Sequence, residues 1–210
     1  MGEFYIYITM EVATSRISVT TGKSAGIDFG LKTFLTLSDN TEIESPLYHL
    51  KYLSEIKRLN RNLSTKKKGS NGRKKARLKL AKLHARVANK RLDYFHKLSN
   101  QLAVEYDYIF IEDLNMDAMK RLWGRKVSDL AFSMFVDILE YKMNVVKIDR
   151  FFPSTKTCSC CGYVLKELSL KVRTWTCPAC QAEHSRDLNA AINIKRVGAS
   201  TLAGEAVRAA

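Results

Sequence analysis

The residues whose spacing speaks most directly of chemistry are the cysteines. Cys158 and Cys161 form one C-x2-C pair, Cys177 and Cys180 form a second, and residues 162–176 lie between them. Two short turns that each present a pair of thiolates are the arrangement of a tetrahedral four-sulfur zinc site. Such a site is closed and leaves no coordination position for a substrate. Its role is structural, because a ribbon this small has little core and draws much of its folding free energy from the metal. Cys160 lies between two of the ligands and reads as a bystander. The opening MGEFYIYITMEV alternates apolar and polar residues and reads as a strand rather than a signal peptide. The cysteines are therefore expected in a reducing compartment, where metal binding is favoured over disulfides.

A second kind of chemistry is carried by acids in unusual places. In SAGIDFGLKTFLTLSD, residues 24–39, Asp28 sits inside a run that otherwise reads as a buried β-hairpin. A carboxylate inside a central strand costs several kcal/mol unless something pairs with it. A divalent cation is one solution, since Mg2+ and Mn2+ take hard oxygen ligands, usually a few carboxylates with water and substrate phosphate. Two further acids could converge with it: Glu112 ends the apolar run 108–111, and Asp187 opens a helix just after the cysteines. In an α/β sheet, strand ends and adjacent helix starts share a crevice. Taken singly, each has an ordinary reading: a satisfied buried acid, a solvated strand end, or a helix N-terminal acid favoured by the dipole. Asp113 follows Glu112 and points to the other side of a strand, so it is left out of the set.

The elements that must position these groups can be read from periodicity. Residues 4–10 and 16–20 alternate at period two and suggest a β-hairpin, 1–22, ahead of the strand holding Asp28. A second strand, a turn and a short third strand follow. From Leu47 to Tyr106 the pattern turns helical, with Leu50, Leu53, Ile56, Leu59 and Leu63, then a break at STKKKGSNGRKK, then Leu80, Leu83, Val87, Tyr94, Leu98 and Leu102. This predicts an antiparallel helical hairpin over 48–106 whose apolar stripe is packing. A buried strand at 108–111, a helix over 127–143, a strand in NVVKIDRF, the ribbon 154–184 and a last helix with Ser185 as N-cap complete the order. That order describes a mixed α/β sheet with helices packed on it. The tail 198–210 lacks large apolar residues and is expected to be loose.

Composition narrows the partner. The chain has 210 residues and a net charge of +14, and no apolar run approaches the length of a membrane span. Seventeen of the 35 Lys and Arg fall within residues 51–97, against only Glu55 and Asp93. An ordinary solvated face mixes signs, so this segment reads as a surface for a polyanion, with nucleic acid ahead of membrane. Lys66, Lys67, Lys68, Arg73, Lys74 and Lys75 at the hairpin tip are the candidate phosphate contacts.

GIDFGLKTFLTLSD, IFIEDLNM, the C-x2-C…C-x2-C ribbon and HSRDLNAAINI, in that order, resemble the TnpB (OrfB) family of transposon-associated proteins, relatives of the type V CRISPR effectors. The resemblance covers nearly the whole chain. It implies an RNase H-like (RuvC-like) nuclease domain over 23–153 and 185–197, with the basic hairpin and the zinc ribbon as insertions. It puts the catalytic acids on Asp28, Glu112 and Asp187 and the zinc ligands on Cys158, Cys161, Cys177 and Cys180. It also implies metal-dependent phosphodiester hydrolysis, with Zn2+ structural and Mg2+ or Mn2+ catalytic. DNA and, in the full-length family, a guide RNA would be the partners, in the prokaryotic cytoplasm beside the nucleoid. Arg186 could contact the phosphate, and Asn189 lies in the first turn of the same helix.

Two departures from the family stand out. The chain begins with what resembles the last hairpin of a longer N-terminal part, so much of the guide-handling apparatus is expected to be missing. The stretch DILEYKMNVVKID passes from helix to strand with almost no turn, which could displace the strand 145–149; the sequence leaves open whether the sheet is disrupted. Two function classes remain: a DNA endonuclease core, or a catalytically silent remnant that binds nucleic acid through its ribbon and basic hairpin. A purely structural zinc-ribbon protein, such as a ribosomal one, leaves Asp28 unexplained.

Overall fold

The computed structural model describes residues 6–10, 20–114, 124 and 129–209, with side chains described as far as Gly204. It divides into two compact units, one of Met1–Ser15 and Pro46–Leu98, the other of Arg16–Ser45 and Ser99–Ala210. Most of the expected N-terminal hairpin lies outside the described residues. The part that is described, 6–10, has no regular structure, and Ile6, Tyr7, Ile8 and Met10 are exposed.

The second unit is built on a five-stranded mixed sheet. Its strands are β1 (Ser24–Phe29), β2 (Leu35–Leu37), β3 (Glu42–Ile43), β4 (Tyr108–Glu112) and β5 (Asn144–Ile148), in the order β3-β2-β1-β4-β5. β1 pairs antiparallel with β2 and parallel with β4, which pairs parallel with β5. Side chains alternate between faces along each strand. Phe29 points to one face, where Phe132 lies at 5.1 Å between ring centroids and Phe34 stacks on Phe132 at 5.4 Å. That face is covered by a helix, Phe132–Lys142, whose buried residues are Phe132, Phe135, Ile138 and Leu139.

The opposite face is covered by a longer helix, Arg186–Ala209. Two glycines permit its close approach. A Cβ on Gly26 of β1 would lie 2.1 Å from the Ala191 carbonyl oxygen and 2.5 Å from the Lys195 nitrogen, both backbone atoms. A Cβ on Gly198 would lie 2.2 Å from the Phe110 ring of β4. Phe110, Ile148 and Ile194 form the core here, with Tyr108, Val146, Phe152, Val197 and Leu202 against it. This corrects the expected loose tail: the helix continues through 198–209, and Gly198, Val197 and Leu202 are part of its packing. The missing side chain at 198 is what the contact uses.

The short connection at 142–145 leaves the sheet intact. The Phe132–Lys142 helix passes to β5 through Met143 alone, in an extended conformation (φ −147°, ψ 176°) with its N–H donating to the Leu139 carbonyl. Met143 is buried, and β5 keeps full register with β4 from Tyr108↔Asn144 to Glu112↔Ile148. One extended residue suffices because a buried side chain and a closing N–H bond fix it, so the strand is not displaced.

The first unit holds α1 (Tyr48–Lys51), α2 (Leu53–Ser64) and most of α3 (Asn71–Glu105). Numbered along the chain, the helix Phe132–Lys142 is α4 and the helix Arg186–Ala209 is α5. The break between α2 and α3 is a turn: Ser70 Oγ accepts from the Arg73 N–H at 3.2 Å, an N-cap bond, and Arg73 Nη1 donates to the carbonyls of Leu63 and Lys66 at 2.9 and 3.1 Å. Of the predicted stripe, Ile56, Leu83, Val87 and Leu98 are buried, Tyr94 is half-buried and Leu50 is exposed, while Ala76 and Phe95, which the stripe did not include, are buried as well. The periodicity predicts one helical segment running to 106, but the division between units falls at Leu98. In the sheet unit, α3 residues Ser99 and Asn100 accept from Lys142 Nζ at 2.8 and 2.7 Å. Among the described residues no helix is long and apolar enough to cross a membrane.

Gly26→Ala is expected to destabilise the fold by about 2 kcal/mol or more, because the new methyl meets the backbone of Ala191 and Lys195 and the Lys195 Cβ, none of which can swing aside. Gly204→Ala, in the same helix with nothing within 4 Å, is expected to raise stability by roughly 0.5–1 kcal/mol. Urea denaturation of the two variants beside the parent chain measures both.

Candidate metal centre and active site

The ribbon between β5 and α5 carries a short antiparallel pair, β6 (Thr174–Thr176) and β7 (Glu183–Ser185), registered through Trp175↔His184. Its two cysteine turns are closed by backbone bonds, Gly162 N–H to the Cys158 carbonyl and Gln181 N–H to the Cys177 carbonyl, each 2.9 Å. The turns bring Cys158, Cys161, Cys177 and Cys180 together, with all four sulfurs within 4.8 Å of one another. Cys158 Sγ lies 3.6 Å from Cys180 Sγ, and Cys161 Sγ lies 3.6 Å from Cys177 Sγ. A tetrahedral zinc–thiolate site with bonds of about 2.3 Å has sulfur–sulfur edges of about 3.8 Å, so the donor set and its size fit zinc.

His184 adds a feature that the spacing did not reveal. Its Nε2 lies 3.1 Å from Cys158 Sγ and its ring packs on Trp175 at 4.6 Å. With Cys158 and Cys160 it forms a second group able to hold a metal ion, so Cys160 is closer to the centre than a bystander would be. Burial pushes the Cys158 thiol up, but the N–H groups of Cys161 and Cys160 and the His184 ring outweigh this and bring it down to about 5. The sulfur is thereby poised as a thiolate, the form that binds metal.

The acids are placed by the sheet. Ile27 of β1 pairs with Ile111 of β4, and one residue further along these parallel neighbours stand Asp28 and Glu112. Alternation puts Asp28 on the face of Gly26, and Glu112 on the face of Phe110, which is the face covered by α5. β7 runs into α5 without an intervening residue, which puts Asp187 in the first helical turn. Asp28 is half-buried, with its carboxyl set in a poorly hydrated crevice. Burial, then the negative charges of Glu112 and Asp187, push its pKa from 3.8 up to about 8, with Arg186 and Arg173 opposing the rise. Burial also raises Glu112, against a hydrogen bond from Ser154.

The three acids thus face one another electrostatically, but they are not drawn into a tight cluster. Among the described residues, the only groups with donor atoms all within 4.8 Å are the cysteine groups. Two acids have other partners. Ser154 Oγ donates to Glu112 Oε1, and Arg173 Nη1 reaches Asp187 Oδ2 at 3.3 Å and Oδ1 at 3.5 Å. Like charges in a desolvated crevice separate unless a cation joins them.

Of the expected phosphate contacts, Arg186 lies beside Asp28, with Nη1 donating to the Leu170 carbonyl at 3.0 Å and Nε buried without a hydrogen-bond partner. Arg173, which the sequence reading did not single out, acts on the same acids from the ribbon. Asn189 is a correction. It is buried with its amide on the Ser154 and Thr157 carbonyls and its Oδ1 accepting from the Ser159 N–H, so it fastens the ribbon's stem and does not face the acids' crevice. Lys66, Lys67, Lys68, Lys74 and Lys75 are exposed at the hairpin turn, while Arg73 spends its guanidinium on that turn. Asp113, the neighbour of Glu112, pairs with Arg150.

Two outcomes are expected from this geometry. Cys177→Ser, at a fully buried sulfur, should lower zinc content from one per chain and shift Trp175 emission to the red. For Asp28, a native pKa raised above the unfolded value means the native state binds more protons between about pH 4 and 8. Stability from this group is therefore full below the lower value and is lost as pH rises through the upper one. Without added divalent cation, the parent chain should lose several kcal/mol across that window, and Asp28→Asn should flatten the decline. Melting curves from pH 5 to 8.5 measure it.

Comparison with known proteins agrees with these motifs. Residues 7–122 match the OrfB_IS605 family model, described as "Probable transposase", and residues 132–194 match the Cas12f1-like TNB domain. A "Putative RNA-guided DNA endonuclease" of Streptomyces pristinaespiralis is 38% identical over 215 residues, covering 99% of this chain and 53% of that protein. InsQ of Escherichia coli K12, which bears the same description, is 29% identical and is covered to 57%. The TnpB-like protein L79 of Acanthamoeba polyphaga mimivirus is 33% identical over 88% of this chain and 39% of its own length. In fold, the chain is similar to Cas12f1 from a cryo-EM complex with sgRNA and target DNA, with a TM-score of 0.55 at 17% identity over 81% of this chain and 49% of that one. The chain spans about half the length of the curated relatives it matches. On these matches, the chain belongs to the OrfB (TnpB) family of transposon-associated proteins.

Proposed function

We propose that this chain is the nuclease core of an RNA-guided DNA endonuclease, an RNase H-like (RuvC-like) sheet in which Asp28, Glu112 and Asp187 serve phosphodiester hydrolysis. The observation that carries this reading is the Asp28 carboxyl, poorly hydrated on the face covered by α5 and raised further by the charges of Glu112 and Asp187. The donor set fits a hard divalent cation, because three carboxylates bear on one crevice and supply hard oxygen donors. Mg2+ or Mn2+ held by the three acids would supply a water of lowered pKa and neutralise charge on the phosphate.

The chain's own residues would do the rest. Arg186 and Arg173 stand on the rim of the crevice, where guanidinium groups can hold and orient a phosphate. Packing of α5 over this face limits the water around Asp28 and strengthens charge interactions there. The four cysteines would hold a structural zinc that fixes the ribbon, and through β7 the first turn of α5. The exposed lysines of the basic unit would contact backbone phosphates without reading bases, with DNA and a guide RNA as partners. The setting would be the prokaryotic cytoplasm beside the nucleoid.

A second reading is a binding module without cleavage. It is favoured by the acids' donor atoms, which are not gathered as the cysteines' are, and by the pairing of Asp187 with Arg173. One experiment separates the two. End-labelled single-stranded DNA is incubated with the zinc-loaded chain and Mg2+ or Mn2+, beside Asp28→Ala. Cleavage that requires the cation and falls at least a thousandfold in the variant is the expected result. Binding that weakens steeply with salt, with no cleavage by the folded parent chain, overturns the nuclease and leaves the binding module.

A further inference from the structure

Resting on the reading of the three acids as a cation site, we infer that Ser154 is the positioning residue for Glu112: its hydroxyl fixes the carboxylate, and α5 fixes Ser154. The chemistry is that of an outer-shell partner, which orients a ligating carboxylate before the cation arrives. Ser154 is 3% exposed, and its Oγ donates to Glu112 Oε1, leaving the second carboxylate oxygen outside this bond. A hydroxyl has one proton to give, so this donation commits it.

The serine itself is held from several sides. Pro153 precedes it and fixes the local φ. The Ser154 N–H donates to the Phe152 carbonyl at 2.8 Å. The Ser154 carbonyl accepts from Asn193 Nδ2 at 2.9 Å and from Asn189 Nδ2 at 3.4 Å. The same two amides reach the Thr157 carbonyl at 2.6 and 2.8 Å, and Thr157 Oγ1 donates to the Pro153 carbonyl at 2.9 Å. Asn189 Oδ1 accepts from the Ser159 N–H at 2.9 Å, and Arg196 Nη2 donates to Asn193 Oδ1 at 3.0 Å. Asn189 and Asn193 are four residues apart on α5 and so stand one above the other on a single face. Both are buried. Two stacked amides thus grip the 154–157 turn and carry it against Glu112. The helix that brings Asp187 to the crevice also sets the orientation of the acid at the end of β4.

The test measures cation binding and does not depend on cleavage. Mn2+ binding to the zinc-loaded full chain is followed by the EPR signal of free Mn2+ at pH 7.5. The parent, Asp28→Asn, Ser154→Ala, Ser154→Thr, Glu112→Gln and the Ser154→Ala/Glu112→Gln pair are compared, with zinc content and melting temperature measured for each. The expected result is a loss of about tenfold or more in Mn2+ affinity in Ser154→Ala, recovery in Ser154→Thr, and no added loss when Ser154→Ala is placed on Glu112→Gln. If the parent binds no Mn2+, or Asp28→Asn binds as well as the parent, the cation-site reading itself fails. Binding by the parent that is unchanged in Ser154→Ala overturns only the role of Ser154. Should the alanine protein lose zinc, Ser154→Cys, which keeps the volume and offers a weak donor, carries the same comparison. Loss of zinc in both would show that Ser154 serves the ribbon's stem alone and would overturn the inference.

Discussion

Desolvation of one carboxylate is the constraint around which this unit is arranged. Asp28 is desolvated where Gly26, two residues earlier on the same face, lets the backbone of α5 lie directly on β1. The contact that removes water from Asp28 also delivers Asp187, Arg186 and, through the ribbon, Arg173 to the same crevice. Charge burial and helix packing are therefore one feature. A side chain at position 26 would lift the helix, rehydrate the acid and separate the groups that act on it. Native domains hold a margin of only about 5–15 kcal/mol, so a desolvated acid that Arg186 and Arg173 offset only in part is tolerated where surrounding packing is dense. The aromatic cluster of Phe29, Phe34, Phe132 and Phe135 on the other face of the sheet provides such packing.

The ribbon is tied to this arrangement at both of its ends. Its entry is held by Asn189 and Asn193 on the Ser154 and Thr157 carbonyls. At its exit the Arg186 N–H donates to the Arg173 carbonyl at 2.8 Å as β7 becomes α5. The cysteine cluster lies between these ties, with His184 linking Cys158 to the strand that leads into Asp187.

The parts of this design legible in the sequence are those fixed by local spacing or by incongruity. The cysteine turns are a matter of two short intervals and the chemistry of sulfur. The strand holding Asp28 is visible because a charge interrupts an apolar alternation. The helices of the basic unit follow from leucines at helical intervals. What escapes is convergence across the chain. Nothing near Arg173 says that a ribbon arginine folds back onto Asp187, and nothing near His184 says that its ring meets Cys158. Ser154 is a small polar residue in a turn, indistinguishable by type from many others, until its bond to Glu112 is seen. The tail misleads for a different reason. Residues 198–204 read as loose for want of bulky apolar side chains, yet a glycine under Phe110 gives closer packing than a larger residue could. The one-residue link at Met143 misleads likewise, since generic loop lengths say nothing of a buried methionine that completes a core.

The double anchoring of the ribbon has an evolutionary consequence. With the stem held at Ser154–Ser159 on one side and Arg173–Arg186 on the other, the geometry of Glu112 and Asp187 is decided at the base of the insertion, not at its tip. The segment around Lys166–Lys171 is largely exposed, and its hydrogen bonds to the stem, from Lys156 Nζ to the Lys166 carbonyl and from Arg186 Nη1 to the Leu170 carbonyl, use backbone acceptors that any side chain leaves in place. It is thus a place where sequence can drift while the sheet and its acids are left untouched. The same scaffold can in this way vary its outer surface without having to rebuild the setting of those acids.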